Sequence, residues 1–440
     1  MIKTGFAKEI ITPPRGISLA GYFNPRPNKG AYDELHVKTV LFQDEKQTGG
    51  IVSFDLCLMT RELIADVRKL LEKEKISFGD NLLFCATHTH TGPHISDFFS
   101  GKTDKDYLIY LRMQAVKSIA KAQRNLCEST LRAGSAKDNP FAFNRRYFMK
   151  DGGVTTNPGK LNPQIAEPEG TVDREIGILT IEQDKRVSLI VANIVNHTDT
   201  IGGDMVSADW PGRMEREVQK QTGYDVPVIT LIGASGNINH FDVKSKRNQA
   251  SYKEACKIGK GYAKIICKTL GKLKKLKGSE FKIATQIAPV QGREIPLLEA
   301  KRAKDILKKR PASSNKNLTS EDLAKGDGQV ACFFADQLLR FEKESAGKIR
   351  EFEMLTFKFD KALAITSMPG EPFTEIGQAI KNASPFKNTF IVSHGQGKAG
   401  YIPLKECFGR GGYETLPVQN GGCRKETAEL LIKKTLKNLK

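Results

Sequence analysis

The sequence predicts an α/β protein: a single large domain with a mixed β-sheet core and flanking helices, and a helical insertion in its second half. Three observations carry this reading. The first hundred residues run strand, strand, strand, helix, strand. Short apolar runs, such as Asn81-Leu82-Leu83-Phe84-Cys85-Ala86, alternate with longer segments of helical period. Polar side chains recur where those apolar runs stop, the arrangement by which α/β proteins place ligands outside the carboxyl ends of their strands.

Taken in order, Lys8 to Thr12 reads as a strand stopped by Pro13-Pro14. Leu35–Phe42 and Gly50–Asp55 are strands, and Thr60–Glu74 is a helix with Thr60 as its cap. Tyr107–Glu128 reads as a long helix and Leu131–Ala136 as a strand. Phe141–Glu169 is a Gly- and Pro-rich loop containing Asn144-Arg145-Arg146, and a loop of that length is often functional. Ile176–Ile181 and Val187–Val195 pair as a hairpin that delivers Asn196-His197.

A helix starts at Ser207-Ala208-Asp209-Trp210-Pro211-Gly212 and runs to Thr222. Val226–Ile232 is a buried strand feeding the small-residue loop Gly233-Ala234-Ser235-Gly236-Asn237-Ile238-Asn239. Helices follow at about Gln249–Leu276, Leu297–Lys309 and Glu321–Glu344, with a linker at Pro311–Asn315; the helical insertion or cap is expected over about 245–345. Strands at Arg350–Phe359 and Leu363–Met368 lead to Glu371, and Thr389–His394 is the last core strand before Tyr401 and a terminal helix from Glu426. No repeat of the solenoid kind is present.

Composition narrows the function. Of 440 residues, 39% are hydrophobic and 27% charged, which describes a chain with ample core material. No apolar run is long enough to span a membrane. The N-terminus has no apolar leader, so the expected location is cytoplasmic. The cysteines are scattered without a C-x-x-C pair, against a zinc ribbon or redox motif. The net charge of +19 comes mostly from lysines spread over helical faces, without arginines interleaved with aromatics. Nucleic acid is therefore not the expected partner; a small-molecule or lipid-like substrate is.

Three of the seven histidines fall in Thr87-His88-Thr89-His90-Thr91-Gly92-Pro93-His94, directly after an apolar strand. In a strand His88 and His90 share a face, and two neutral imidazoles at a strand end can grip a metal. His197 and Glu371 are placed similarly, each readable as a ligand or as ordinary loop chemistry. Gly395-Gln396-Gly397-Lys398-Ala399-Gly400 matches G-x-G-x-x-G but does not open a helix, so the dinucleotide reading loses its mechanism. No serine elbow or Walker sequence occurs.

These residues together resemble the catalytic domain of the neutral/alkaline non-lysosomal ceramidases and their bacterial and archaeal relatives. The resemblance rests on Thr87-His88-Thr89-His90-Thr91-Gly92-Pro93, on Asn144-Arg145, on Asn196-His197, on Ser207–Gly212, and on Gly233–Asn239, in the family's order. It implies a zinc ion held by His88, His197, Glu371 and Tyr401. It also implies His90 as the acid/base histidine and Arg145 and Tyr413 as groups contacting substrate or oxyanion. Asn239 stands where the family's ceramidases carry serine, and is expected to support the oxyanion. Residues 1–440 are expected to form the catalytic domain, with no C-terminal immunoglobulin-like domain.

The expected function is a zinc-dependent hydrolase cleaving an amide (N-acyl) bond. Two alternatives remain: a hydrolase of the same superfamily acting on a polar or anionic small molecule or sugar, and a non-catalytic binding protein with a vestigial zinc site. A metallo-β-lactamase-like reading of His88, His90 and His94 lacks that family's aspartate, which leaves His94 as a rim or structural residue.

Overall fold

The order of strands and helices repeats three times along the chain. The computed structural model describes residues 2–97, 101–278, 281–309 and 328–440. In the first unit, β1 (Lys3–Ile10), β2 (His36–Gln43) and β3 (Thr48–Phe54) pair antiparallel in sequence. Helix α1 (Arg61–Lys73) then crosses to β4 (Leu82–Ala86), which lies parallel to β3, and α2 (Lys105–Arg124) follows.

The second unit does the same with β5 (Thr130–Ala136), β6 (Ile176–Gln183), β7 (Arg186–Ile194), α3 (Asp209–Thr222), the parallel strand β8 (Val228–Ile232) and α4 (Tyr252–Thr269). The third unit opens with β9 (Phe281–Gln291). A helical pair, α5 (Leu297–Lys308) and α6 (Gly328–Glu344), intervenes before β10 (Ile349–Phe359). Strand β11 (Leu363–Ser367), α7 (Thr374–Ala383), the parallel strand β12 (Asn388–Val392) and α8 (Thr427–Leu439) complete it.

Period-two alternation gives each sheet two apolar faces. The inner faces meet in one core, where Phe42 and Leu83 of the first sheet join Leu179 and Val191 of the second and Phe357 and Phe390 of the third. Each outer face is covered by the helices of its own unit. Leu82 and Phe84 pack with Leu63 and Val67 of α1. Ile190 and Val228 pack with Trp210 of α3 and Tyr262 of α4. Ala364 and Ile391 pack with Ile376 of α7 and Leu431 of α8. Burying each such large side chain contributes about 1.5–3 kcal/mol.

The helices obey local rules. Thr60 caps α1, its Oγ1 accepting from Leu63 N at 3.2 Å, and the buried stripe Leu63, Ile64, Val67 and Leu71 follows the helical period. Helix α3 stops at Gly223, whose φ of 78° suits a left-handed cap.

Several expectations shift. The helix expected at Tyr107–Glu128 ends at Arg124, because Cys127–Glu128 pair with β1. The loop expected at Phe141–Glu169 carries a small sheet of Arg146–Met149 between Val154–Thr156 and Ile165–Pro168. The insertion expected over about 245–345 is not one unit: α4 belongs to the core of the second unit and β9 to the third sheet. What projects between β9 and β10 is the α5–α6 pair. The linker at Pro311–Asn315 and the first turns expected from Glu321 lie outside the described residues.

Candidate metal centre

Each unit sends a loop from the carboxyl end of its parallel strand pair to a common point. All five residues of β4 are buried, and the ladder closes with Thr87 N donating to Phe54 O at 2.8 Å. His88 follows in a left-handed conformation, φ 64°. Its Nδ1 lies 2.5 Å from the carbonyl oxygen of Cys57, which comes from the loop after β3. A carbonyl only accepts, so Nδ1 carries the proton and Nε2 presents a bare lone pair.

That lone pair faces His197 Nε2 at 3.0 Å. His197 stands beyond the end of β7 and is fixed on both sides. Its N–H donates to Asn196 Oδ1 at 2.8 Å, and its carbonyl accepts from Trp210 Nε1 at 2.8 Å. Asn196 is anchored in turn by donating to Phe141 O at 3.0 Å and to the Tyr262 hydroxyl at 2.8 Å.

The third unit supplies Glu371. Glu371 and Tyr401 are register partners in a two-residue parallel bridge, with Glu371 N donating to Gly400 O at 2.9 Å, so the two side chains leave the same side of the ribbon. Glu371 Oε2 lies 3.6 Å from His88 Nε2 and 3.9 Å from His197 Nε2. It is buried without a hydrogen-bond partner among the described residues. Burial raises this carboxyl to about 7, with Arg145 opposing. Burial also lowers His88 to about 4 and holds His197 well below the usual range, His88 adding to the effect.

Two neutral imidazole nitrogens and a bare carboxylate oxygen, all within 4.8 Å of one another, are a set of donors that a divalent cation satisfies. A second group, Cys57, His88 and His90, is equally compact. It fits less well, because burial pushes the Cys57 thiol far up and keeps it protonated.

His90 stands at the edge of the group, with Nε2 3.2 Å from His88 Nε2 and Nδ1 3.6 Å from Asp199 Oδ1. Asp199 also accepts from the Tyr22 hydroxyl. Gly21 makes room for the ring: a Cβ there would sit 2.6 Å from His90 Nδ1. His394 stacks on His88 with ring centroids 3.9 Å apart, and occupies the same place after β12 as His88 does after β4, also with positive φ (54°).

Behind Tyr401 lies an ionic network. The Arg145 guanidinium carbon is 4.9 Å from the centre of the Tyr401 ring. Arg145 Nε donates to Glu414 Oε1 at 2.8 Å, and Arg146 donates to Glu414 Oε2 at 2.7 Å. Arg146 is closed off on its other side by Glu169. Glu414 has no exposed surface and also accepts from Thr156 Oγ1 at 2.8 Å. Tyr413, next in sequence, places its ring 5.9 Å from Tyr401.

A cavity of about 430 Å³ opens over this cluster. His88, His90, Glu371, His394, Tyr401 and Tyr413 reach its wall, as do side chains of α6. Arg145 and Asn239 are not on that wall. The Asn239 amide donates across to another segment, to Asn157 Oδ1 at 2.8 Å, and accepts from Phe241 N of its own loop at 3.0 Å. Its segment instead positions Arg145: Ile238-Asn239 pair with Phe143-Asn144, and Arg145 N donates to Asn237 O at 2.9 Å. His94 is buried away from the cavity wall, its N–H donating to Ser18 O at 3.1 Å.

Asp199, Glu414 and His394 were not among the sequence-derived site residues. Asp199 is two residues from His197 and Glu414 adjoins Tyr413, so proximity to named residues was the available signal. His394 showed only as a polar residue at a strand end.

No protein-family model matches the chain, and no curated protein matches its sequence. Solved structures do match. The crystal structure of neutral ceramidase from Pseudomonas aeruginosa aligns with a TM-score of 0.71 at 15% identity, covering 99% of this chain and 74% of that one. A ceramidase complexed with C2 aligns with a TM-score of 0.72 at 14% identity, covering 100% of this chain and 74% of that one. The chain therefore has a neutral-ceramidase-like fold.

Proposed function

We propose that this protein is a zinc-dependent hydrolase that cleaves an amide (N-acyl) bond. The observation that carries the reading is the convergence of His88 Nε2, His197 Nε2 and Glu371 Oε2, with His88 and Glu371 on the wall of a cavity, in a fold shared with neutral ceramidase. His88, His197 and Glu371 would hold the ion, with Tyr401 as a fourth ligand beside Glu371. When bound, zinc would supply the Lewis acidity for this chemistry, polarising a carbonyl and lowering the pKa of bound water to about 7.

The chain's own residues handle proton and charge. Burial and the neighbouring His88 keep His90 neutral, hence able to accept a proton. Asp199, 3.6 Å from its Nδ1, stabilises the imidazolium that results. Arg145 lies against Tyr401 and opposes the burial that disfavours its ionised form. Tyr413 reaches the cavity wall and is positioned to donate to an oxyanion there. Asn239 would support the oxyanion with the amide hydrogen that its bond to Asn157 leaves over, and its segment orients Arg145 through the pairing with Phe143-Asn144.

The test is elemental analysis and an amidase assay on the full chain. One zinc per chain, with N-acyl hydrolysis lost on chelation and restored by zinc, is the expected result. A chain that binds no zinc, or hydrolyses equally well without it, overturns the reading.

A further inference from the structure

One wall of the cavity above the metal cluster is the face of a helix that lies outside the three sheets. Gln337, Arg340, Phe341 and Glu344 of α6 all reach that wall. Their spacing of three, four and seven residues sets them on one side of the helix. Aromatic contacts hold α6 in place. Phe333 and Phe334 pack against Phe23 of the loop after β1, with ring centroids 5.1 and 6.0 Å apart. Phe334 also meets Tyr413, itself on the cavity wall, edge-on at 6.3 Å. The helix therefore touches both the first unit and the third.

Phe341 is the large apolar side chain of the lining face. It is wedged against the loop before α8, where a Cβ at Gly422 would overlap its ring. Gly422 also has a φ of 73°, so glycine is favoured there on two grounds. Leu58, Met59 and Val418 add apolar surface to the wall. Arg340 is turned along its own helix, with Nε 3.3 Å from Asp336 Oδ2.

The space so enclosed, about 430 Å³, is small for a lipid. At roughly 30 Å³ for each water- or methylene-sized group it takes about 14 such groups. A lipid with two long chains carries far more. Each methylene that finds room adds about 3- to 4-fold in affinity, and one driven against a fixed side chain forfeits that gain.

We propose that the α6 face centred on Phe341 sets the length of acyl group accepted, so that the substrate is an N-acyl compound with one short chain of about four to eight carbons. The inference rests on the hydrolase reading above and names its substrate class. A two-chain N-acyl lipid is the class it excludes.

Hydrolysis of N-acylethanolamines from acetyl to hexadecanoyl by the full, zinc-loaded chain measures the limit, with N-hexanoylsphingosine as the two-chain probe. The expected kcat/KM reaches a maximum between butanoyl and octanoyl and falls by about 10-fold or more at hexadecanoyl. N-hexanoylsphingosine should be cleaved about 10-fold or more less efficiently than N-hexanoylethanolamine. Phe341→Ala should move the maximum to longer chains, and Gln337→Trp, which fills the same face, to shorter ones. Loss of stability cannot produce shifts of opposite direction.

Efficiency that climbs through hexadecanoyl, equal use of the two hexanoyl probes, or one maximum shared by the unmodified chain and both variants overturns the proposal while leaving the hydrolase standing. Should a variant fail to fold, the profile of the unmodified chain still decides. If nothing is hydrolysed, the hydrolase reading fails. Calorimetric titration of the same series then decides the α6 wall alone, by whether affinity peaks at a short chain and whether Phe341→Ala moves that peak.

Discussion

His88 Nδ1 lies 2.5 Å from the carbonyl oxygen of Cys57, and that contact leaves only Nε2 of the ring available to a cation. The ring should therefore exist as the Nδ1–H tautomer. Nitrogen-detected NMR of the zinc-free protein is expected to show a protonated Nδ1 and an unprotonated Nε2 at neutral pH. Zinc should move the Nε2 resonance alone. The opposite tautomer would mean that the Cys57 contact does not orient the ring.

Ligand and proton carrier should separate by mutation. His88→Ala and Glu371→Gln are expected to lower zinc content several-fold in elemental analysis. His90→Ala should keep its zinc and lose activity by about 10²- to 10⁴-fold, the usual contribution of a general base. Zinc loss in His90→Ala would place that ring among the ligands instead.

Gly21 and Gly16 form a matched pair. Both have positive φ, 96° and 92°, so an added methyl strains both backbones. Only at Gly21 does the methyl meet His90, 2.6 Å from Nδ1, whereas nothing lies within 4 Å of it at Gly16. Gly21→Ala is expected to cut turnover by about 10- to 100-fold with zinc retained, the scale of a small misplacement of a catalytic group. Gly16→Ala should cost stability only. Equal turnover in the two variants would remove Gly21 from the site.

Glu414 holds two arginines in a dry interior. Glu414→Gln leaves Arg145 without its carboxylate partner, and breaking a buried pair costs about 3–5 kcal/mol. Chemical denaturation should show a loss of that order. A change well under 1 kcal/mol would mean that water reaches the network.

His36 should make stability depend on pH. Burial, with Lys38 nearby, lowers its pKa to about 4. An unfolded histidine titrates near 6.5, so the unfolded chain takes up this proton first as pH falls. The stabilisation is complete above about pH 6.5 and is lost as pH drops through about 4, amounting to about 3 kcal/mol at most. His36→Asn is expected to flatten the difference in stability between pH 7 and pH 4 relative to the unmodified chain. An NMR titration midpoint for His36 near 6.5 would contradict it.

Much of this architecture was legible before the structure. The strand before His88 and the hairpin before His197 show as apolar runs with turn residues at their ends. The cap at Thr60 and the helix start around Asp209 follow local rules. What local rules do not show is pairing across long separations. The three units share strand order and not residue spacing, so the triplication is invisible in the sequence. Glu414 enters the site only because the fold brings it to Arg145, and the bonds of the Asn239 amide to Asn157 and Phe241 likewise depend on the fold. The α5–α6 pair read as part of a longer helical stretch because helical period alone does not distinguish a core helix such as α4 from a projecting one.

The three-unit arrangement also sets when a metal could enter. His88 belongs to the first unit, His197 to the second, and Glu371 and Tyr401 to the third. During synthesis the first histidine leaves the ribosome with most of its partners still untranslated. No unit holds more than part of the proposed ligand set, so tight capture would wait until the third sheet has docked. Metal loading would then be a late event in biogenesis, and the presence of the ion would report that the whole chain, from β1 to the bridge at Tyr401, had been assembled.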